Sequence, residues 1–227
     1  MAFVKPFFDV GLFSNRAEQQ QQFWTEQVGL SLDHTLKLGG GVLQHRYQTD
    51  AAVMKVNVAR DPLPPGSDGP LQQVLVACSG CTSVESLRDP DGNRITRVPP
   101  GHRGIQGLAV ELQVADVAAS SAYYQQVLGL TLQAPGVLTC GQGLVFLQQG
   151  QPANPSGPTP LAATGLRYLT LQVPDCDAAY AQAIAAGATS GRAPVTLGST
   201  ARIAFVIDPD GLWIELSERA SLTGKAV

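Results

Sequence analysis

A tetrapeptide that occurs twice divides this chain into two similar halves. The sequence Asp-Pro-Asp-Gly stands at residues 89–92 and again at 208–211, each time just before a run typical of a β-strand. An aromatic pair followed by a glycine-containing turn is also repeated, because residues 23–32 (FWTEQVGLSL) correspond to residues 123–132 (YYQQVLGLTL). Two separate landmarks recur in the same order, so the repeat is a property of the whole chain.

The repeat predicts two domains, residues 1–99 and 100–227 of the 227-residue chain. Loops rich in proline and glycine, residues 61–70 and 151–164, fall near the middle of each half. Such loops separate structural units. The chain is therefore expected to contain four units, each built from a strand, a helix and further strands.

The second of these units is shorter than the fourth. Leu30 and Asp89 are 59 residues apart, whereas the corresponding Leu130 and Asp208 are 78 residues apart. The missing 19 residues equal about one helix of average length with its connections. We therefore expect one helix to be missing from the second unit.

Alternating apolar and polar residues indicate strands with one buried face. Residues 108–114 (LAVELQV), 168–173 (YLTLQV) and 212–217 (LWIELS) follow this pattern, which has the period of a β-strand. Sheets of this kind have helices on one side only and suit an α+β fold with antiparallel or mixed pairing. Helices that end before a glycine are predicted at residues 17–28, 116–128 and 177–186.

Charge and hydropathy exclude several classes of partner. The net charge is −3, and no Lys/Arg cluster occurs, so nucleic-acid binding is not expected. No stretch approaches the roughly 18 apolar residues of a membrane span, and the N-terminus does not resemble a signal peptide. The sequence predicts a soluble, cytoplasmic protein.

The four cysteines do not match a zinc site. Cys78 and Cys81 form a CxxC motif, but no second pair of ligands accompanies it. A structural zinc site needs four ligands. We expect ordinary reduced thiols, as in most cytosolic proteins, rather than a zinc or redox site.

In these repeated features the chain resembles the vicinal oxygen chelate superfamily over about residues 7–219. That superfamily includes glyoxalase I, type I extradiol dioxygenases and the bleomycin- and fosfomycin-resistance proteins. The resemblance rests on the repeated aromatic pair with its turn and on the two DPDG hairpins, of which the second continues as DPDGLWIEL. It implies tandem βαβββ modules in two glyoxalase-like domains, with curved mixed sheets that enclose a cup and helices on the outer face.

In metal-dependent members of the superfamily, the cup holds a divalent ion that chelates two neighbouring oxygens. The resemblance implies a histidine or glutamine early in the first strand of a domain, a histidine on the first strand of its second module and a glutamate on the last strand. In the second half these positions fall on Ala109, Tyr168 and Glu215, so only the glutamate is retained. The corresponding positions of the first half fall on Asp9 and Thr96. Because a catalytic metal usually has at least three protein ligands, a divalent metal held by Glu215 is doubtful.

The candidate site therefore centres on the cup of the second domain. Glu215 is expected to act as a general base or metal ligand, and Tyr168 and Glu111 to orient or polarise a substrate. Asp9 and His45 are secondary candidates in the first half. Five further residues are expected to line the ligand cavity: Gln113, Thr170, Gln172, Arg202 and Trp213.

Two functions remain open at this point. The first is an enzyme of lyase, isomerase or dioxygenase type that acts on a small oxygenated organic substrate. The second is a non-catalytic, metal-independent protein that binds a metabolite or an antibiotic, as the bleomycin-resistance proteins do. Both have a small molecule as partner and allow a monomer or a homodimer, and a shared fold does not decide between them.

Overall fold

The structure, a computed structural model, describes residues 1–49, 52–66, 69–150 and 158–227. Within these residues the strands form one eight-stranded and one seven-stranded sheet. The eight-stranded sheet contains β1 (Asp9–Ser14), β2 (Ser31–Gly39), β3 (Val42–Gln48), β4 (Val53–Ala59), β12 (Gly165–Gln172), β13 (Thr189–Leu197), β14 (Ala201–Ile207) and β15 (Trp213–Arg219). The seven-stranded sheet contains β5 (Leu71–Ala77), β6 (Glu85–Arg88), β7 (Arg94–Val98), β8 (Leu108–Val114), β9 (Thr131–Ala134), β10 (Val137–Cys140) and β11 (Gly143–Gln149).

Four short α-helices accompany the sheets in the described part of the chain: α1 (Ala17–Gln22), α2 (Val117–Gln126), α3 (Cys176–Ala185) and α4 (Ala220–Thr223). A π-helical turn at Phe23–Gln27 continues α1, so the helix expected over residues 17–28 is present with a changed last turn. Asp116 caps α2 as its sequence position suggests, because its side chain accepts hydrogen bonds from the amides of Ala118 and Ala119. The α+β fold with curved mixed sheets is confirmed.

Each sheet combines one unit from each half of the chain. In the eight-stranded sheet, β1–β4 of the first unit join β12–β15 of the fourth through the antiparallel pair β1 and β12. In the seven-stranded sheet, β5–β7 join β8–β11 through the antiparallel pair β5 and β8. The cup expected within the second half alone is therefore shared between the halves. The domain boundary between residues 99 and 100 remains a prediction that rests on the sequence repeat. Each sheet contains strands from both sides of this boundary.

The second unit lacks a helix, as expected, and also a strand. Between β5 and β6, residues 78–84 contain no helix. The sheet order β6-β7-β5 has three strands where the fourth unit has β13-β14-β15-β12. The residues missing from this unit thus correspond to α3 together with β13.

The repeated DPDG hairpins fasten the sheets to the helices. In the second half, the Asp208 carboxylate accepts a hydrogen bond from the Tyr124 hydroxyl at 2.7 Å. In the first half, the Asp89 carboxylate accepts one from Gln20 at 3.0 Å, and Gln20 in turn accepts one from the Trp24 indole at 2.8 Å. Tyr124 and the corresponding Trp24 therefore both connect a helix to a DPDG hairpin, Tyr124 directly and Trp24 through Gln20. These motifs hold the fold together and do not form a site.

The described helices are short, and two of the four cysteines are joined. Among the described residues, no helix is long and apolar enough to cross a membrane. The expectation of reduced thiols at the CxxC motif is wrong, because Cys78 and Cys81 form a disulfide. A tight turn, in which the Cys81 amide donates to the Cys78 carbonyl at 3.0 Å, brings their Cα atoms within 5.4 Å. Cys140 and Cys176 are free and buried.

Candidate functional site: a cavity on the eight-stranded sheet

A cavity of about 560 Å³ lies over one face of the eight-stranded sheet. Pockets of this size accommodate small organic ligands. Its apolar wall includes Phe13, Ile203 and Phe205. Its polar part consists of Gln44, Lys55, Asn57, Tyr168 and Glu215, and three further cations, Lys37, Arg192 and Arg219, also line it.

Four side chains meet where the first and fourth units join, and we call Asp9, Lys55, Tyr168 and Glu215 the central quartet. On the paired strands β1 and β12, Asp9 lies opposite Thr170 and Gly11 lies opposite Tyr168. On the flanking strands, Lys55 is paired with Gly11 and Glu215 is paired with Thr170. This register relates the two units by an approximate two-fold axis. Lys55 therefore holds in the first unit the position that Glu215 holds in the fourth.

Lys55 and Glu215 form a buried ion pair. The Lys55 ammonium donates to Glu215 Oε2 and to Thr170 Oγ1, each at 2.7 Å, and the Thr170 hydroxyl donates to the same Glu215 oxygen at 2.5 Å. The Lys55 residue is 1% exposed. Burial lowers the pKa of Lys55 below its ordinary value, although the charges of Glu215 and Asp9 oppose this shift. Removing either partner would leave an uncompensated buried charge.

Asp9 is held as a carboxylate by its surroundings. It accepts hydrogen bonds from the Lys5 ammonium at 2.7 Å, the Val53 amide at 3.0 Å and the Gln172 amide at 2.9 Å. Burial raises its pKa, but the charges of Lys55 and Lys5 outweigh burial, so the pKa of Asp9 is lowered. The Lys55 ammonium is 4.0 Å from Asp9 Oδ2, so it lies between the two carboxylates of the quartet.

The Tyr168 hydroxyl is oriented by a chain of amides. Asn57 donates one N–H to the Leu12 carbonyl at 2.8 Å, which fixes its amide orientation, and another to the Tyr168 oxygen at 3.0 Å. Gln44 donates to Asn57 Oδ1 and accepts from Arg46, which fixes the Gln44 amide too. Since Tyr168 only accepts in these contacts, its own O–H has no acceptor among the described residues. Burial raises the pKa of Tyr168, so the phenol keeps this proton.

Gly11 makes room for the Tyr168 ring. A Cβ atom at Gly11 would lie 2.0 Å from ring carbons of Tyr168. No side chain larger than hydrogen fits at this position without moving the ring. The ring also packs near Phe13 and Phe205, with centroid distances of 6.3 and 5.8 Å.

The remaining residues expected in the cavity have several locations. Thr170 and Gln172 belong to the hydrogen-bond network around the quartet. Trp213 packs beside Phe205, and its indole donates to the Thr159 carbonyl at 2.8 Å. Arg202 was expected to line the cavity and does not, because it binds Asp177 of α3, with one contact at 2.7 Å.

Three other expectations are corrected by the sheet pairing. His45 does not join Asp9, because on β3 it alternates with Gln44 and bonds to Thr35 at 2.8 Å. Glu111 and Gln113 lie on β8 of the other sheet, so neither shares a cavity with Glu215. The sequence pattern identified the polar face of each strand, but pairing decided which polar faces meet.

In the seven-stranded sheet, the corresponding region is filled by protein. Glu111 is bound by Arg103 at 2.6 Å and by the Gln73 amide. The Arg103 guanidinium lies 3.9 Å from the centre of the Phe146 ring. An apolar cluster packs in the same region: Leu75, Val98, Ile105, Ala109, Leu144 and Phe146. The segment between β7 and β8, which contains Arg103 and Ile105, thus closes this face, and Ala109 and Thr96 contribute no carboxylate there.

Sequence reasoning missed most of the cavity lining, including the apolar wall and four polar or charged residues: Lys37, Gln44, Arg192 and Arg219. Lys55 and Asn57 were not among the candidate site residues either. A signal for both was present, because they interrupt the otherwise apolar strand 53–59 (VMKVNVA), in which every residue is buried. Charged residues are almost never fully buried unless they are paired.

The quartet does not fit a divalent metal. Two of its members, Asp9 and Glu215, are carboxylates already bound by lysine ammonium groups, and Tyr168 keeps its proton. The fourth member, Lys55, places a positive charge between them. No group of three His, Cys, Asp or Glu side chains suited to a metal occurs among the described residues. We therefore assign no chemistry to a metal ion here.

Comparison with known proteins agrees with this architecture. A family model described as the Glyoxalase/Bleomycin resistance protein/Dioxygenase superfamily matches residues 107–216. The uncharacterized protein YaeR of Escherichia coli (strain K12) is 32% identical over 120 residues, which cover 48% of this chain and 93% of that protein.

Solved structures of similar fold cover nearly the whole chain. A glyoxalase I variant from Zea mays superimposes with a TM-score of 0.74 at 15% identity and covers 92% of this chain and 91% of its own. A putative dioxygenase from Bacillus subtilis gives a TM-score of 0.67 at 12% identity and covers 96% and 86%, respectively. At these identities the likeness concerns the fold alone. The chain belongs to the Glyoxalase/Bleomycin resistance protein/Dioxygenase superfamily.

Proposed function

We propose that this protein binds a small organic molecule in the cavity of the eight-stranded sheet and does so without a metal ion. The observation that carries the proposal is the Lys55 ammonium, 2.7 Å from Glu215, at a position equivalent to that of Glu215 itself. A fixed ammonium supplies the positive charge that the metal supplies in metal-dependent relatives, and it would repel a divalent cation.

The lining supports binding by a preformed pocket. An apolar wall that includes Phe13 and Phe205 faces hydrogen-bonding groups at Tyr168 and Lys55. Ligand sites commonly combine a mostly apolar surface with a few placed polar groups. Both sheets are complete within one chain, so ligand binding requires no second copy, and a monomer is sufficient. An intracellular location remains a prediction.

A metal-independent lyase or isomerase is the second candidate. It is favoured by one observation, namely that Lys55 has a lowered pKa and contacts Glu215 in the cavity lining. Such a pair could move a proton on a bound carbonyl compound. Binding is the better-supported function, because it requires only the preformed cavity, whereas proton transfer would require the carboxylate whose Oε2 already accepts from Lys55 and Thr170.

The proposal is tested by a thermal-shift screen of small organic compounds, with hits measured by calorimetry before and after dialysis against EDTA. We expect ligand binding to raise the melting temperature and the affinity to be unchanged by EDTA. Thr200→Trp, at an exposed residue that lines the cavity, should weaken binding. Thr189→Trp, at an exposed residue of β13 outside the cavity lining, is the matched control. Stoichiometric metal in the protein, together with loss of binding in EDTA, would overturn the proposal.

A further inference from the structure

The charges around the cavity do not balance. Its lining contains the cations Lys37, Lys55, Arg192 and Arg219 and a single carboxylate, Glu215. Glu215 is paired with Lys55. The other three cations make no ion pair with any described residue, so the cavity has an excess of positive charge.

The excess extends below the cavity surface. Arg46 is 5% exposed, and its Nε atom has no hydrogen-bond partner among the described residues. Arg46 is paired with Lys55 across β3 and β4, and it interacts electrostatically with the half-buried Arg219. Burial, followed by the charge of Arg46, lowers the pKa of Arg219. The charges of Glu215 and Asp9 raise the pKa of Arg219 by less than burial and Arg46 lower it. Two neighbouring guanidinium groups repel each other. An anion between or beside them would relieve that repulsion.

Two hydrogen-bond donors are available to such an anion. The Tyr168 O–H has no acceptor in the described part of the chain, because the neighbouring Asn57 and Gln44 amides donate to its oxygen. The Lys55 ammonium has three N–H groups. Thr170 and Glu215 accept hydrogen bonds from two of these groups. The third is left over, because the other nearby carboxylate, that of Asp9, is 4.0 Å from the ammonium nitrogen. Unmatched donors in a buried site are costly unless a ligand or water accepts from them.

One wall of the cavity is apolar. Phe13, Ile203 and Phe205 form a cluster around the Tyr168 ring. An inorganic anion would leave this wall uncovered, whereas an organic anion would cover it and gain the free energy of burying apolar surface. The ligand chemistry that satisfies both parts is an anionic group attached to an aromatic or aliphatic body.

We propose that the cavity binds an organic carboxylate. Its oxygens accept from the Tyr168 hydroxyl and the Lys55 ammonium, Arg219 and Arg192 provide the surrounding positive charge, and its apolar body packs on Phe13 and Phe205. This inference rests on the proposed function, since it names the ligand class of the same cavity. Charge-assisted hydrogen bonds of this kind are stronger than neutral ones.

The test compares three probes of nearly equal shape: 3-phenylpropanoate, its neutral amide and the cationic 3-phenylpropylamine. Calorimetry or NMR titration with the full chain should give a carboxylate affinity at least about tenfold above that of the amide and no saturable binding of the amine. Raising the salt concentration should weaken the carboxylate more than the amide, because solvent-accessible charges are screened.

Variants assign the effect to the cavity. Tyr168→Phe and Arg219→Gln should each weaken carboxylate binding about five- to tenfold, and Arg219→Gln should weaken amide binding less than carboxylate binding. Arg192→Gln, at an exposed residue of β13, repeats the charge test at a position where folding is not at risk. Arg202→Gln is the matched control, because this arginine of β14 binds Asp177 of α3.

The possible results separate the two proposals. If the amide or the amine binds as tightly as the carboxylate, the inference is wrong and the proposed function stands. If none of the three probes binds at millimolar concentration, the inference is also wrong. The proposed function fails separately, when the wider compound screen finds no ligand whose binding Thr200→Trp weakens.

Discussion

The Lys55 ammonium lies 2.7 Å from Glu215 Oε2 across the junction of the first and fourth units, 160 residues apart in sequence. The register of β1 with β12 makes these two residues equivalent under the approximate two-fold relation of the units. One position carries the cation and the other the carboxylate. The protein itself thereby neutralises the carboxylate at the centre of the cup.

Breaking the ion pair should destabilise the fold. Lys55→Met leaves the Glu215 carboxylate buried without its cation, and we expect the free energy of unfolding to fall by about 3–5 kcal/mol. The double variant Lys55→Met/Glu215→Leu should recover most of the loss, because no unpaired charge remains. Urea denaturation measures both variants, with Lys225→Met at the exposed C-terminus as control. A single variant as stable as the wild type would contradict the assigned pairing.

Exchanging the cation for a carboxylate should create a metal site. Lys55→Glu would place three carboxylates, with those of Asp9 and Glu215, around the former ammonium position. Three oxygen ligands suit Mn²⁺ or Zn²⁺. We expect either ion to raise the melting temperature of this variant but not that of the wild type or of Lys55→Met. Equal responses in all three proteins would show that Lys55 does not occupy a metal-like position.

The stability of the second DPDG hairpin should depend on pH. Burial raises the pKa of Asp208 to about 6 from its ordinary 3.8, against the hydrogen bond from Tyr124. Because the folded state binds this proton more tightly, its contribution to stability is fully present below about pH 4 and is lost as the pH rises through about 6. A shift of this size corresponds to about 3 kcal/mol.

Asp208→Asn should remove that dependence. The difference in unfolding free energy between the wild type and this variant should change between pH 4 and pH 6.5, as measured by urea denaturation at a series of pH values. Asp61→Asn, which changes an exposed carboxylate paired with Arg60, is the control. A difference that stays constant over this range would refute the assignment to Asp208.

Gly11 should be intolerant of any side chain while Tyr168 is present. A methyl group there would overlap the Tyr168 ring, and overpacking typically costs about 1–3 kcal/mol. We expect Gly11→Ala to lower the melting temperature and to weaken ligand binding. Adding Tyr168→Leu should relieve the loss of stability, so the two changes are non-additive in a double-mutant cycle. Gly80→Ala, at a position with open space, is the comparison.

The cysteines should fall into two pairs by reactivity. Burial raises the pKa of Cys140 and of Cys176 to about 12, so neither thiol should react with iodoacetamide in the native protein. After reduction without denaturant, Cys78 and Cys81 should be labelled, because both are partly exposed. Mass spectrometry of the alkylated peptides distinguishes the pairs. Labelling of Cys78 and Cys81 without prior reduction would contradict the disulfide.

Local patterns in the sequence predicted much of this molecule. The repeated DPDG motif located the two hairpins, and alternation identified Tyr168 and Glu215 as residues of polar strand faces. These features depend on neighbours a few residues apart. The loss of a helix from the second unit followed from spacing alone. The loss of the strand that corresponds to β13 could not be predicted in this way, because a difference in length does not show which elements are missing.

Tertiary structure alone decided which polar faces meet. Pairing of β1 with β12, rather than of strands within one half, brought Lys55 and Asp9 to Glu215 and left Glu111 in the other sheet. It also decided that Gln44 and not His45 contributes to the cavity, since packing of Tyr47 against Trp24 sets the orientation of β3. The alternation of a strand shows that it has two different faces. Which partner lies beside it depends on contacts between residues more than 100 positions apart, and these leave no local trace in the sequence.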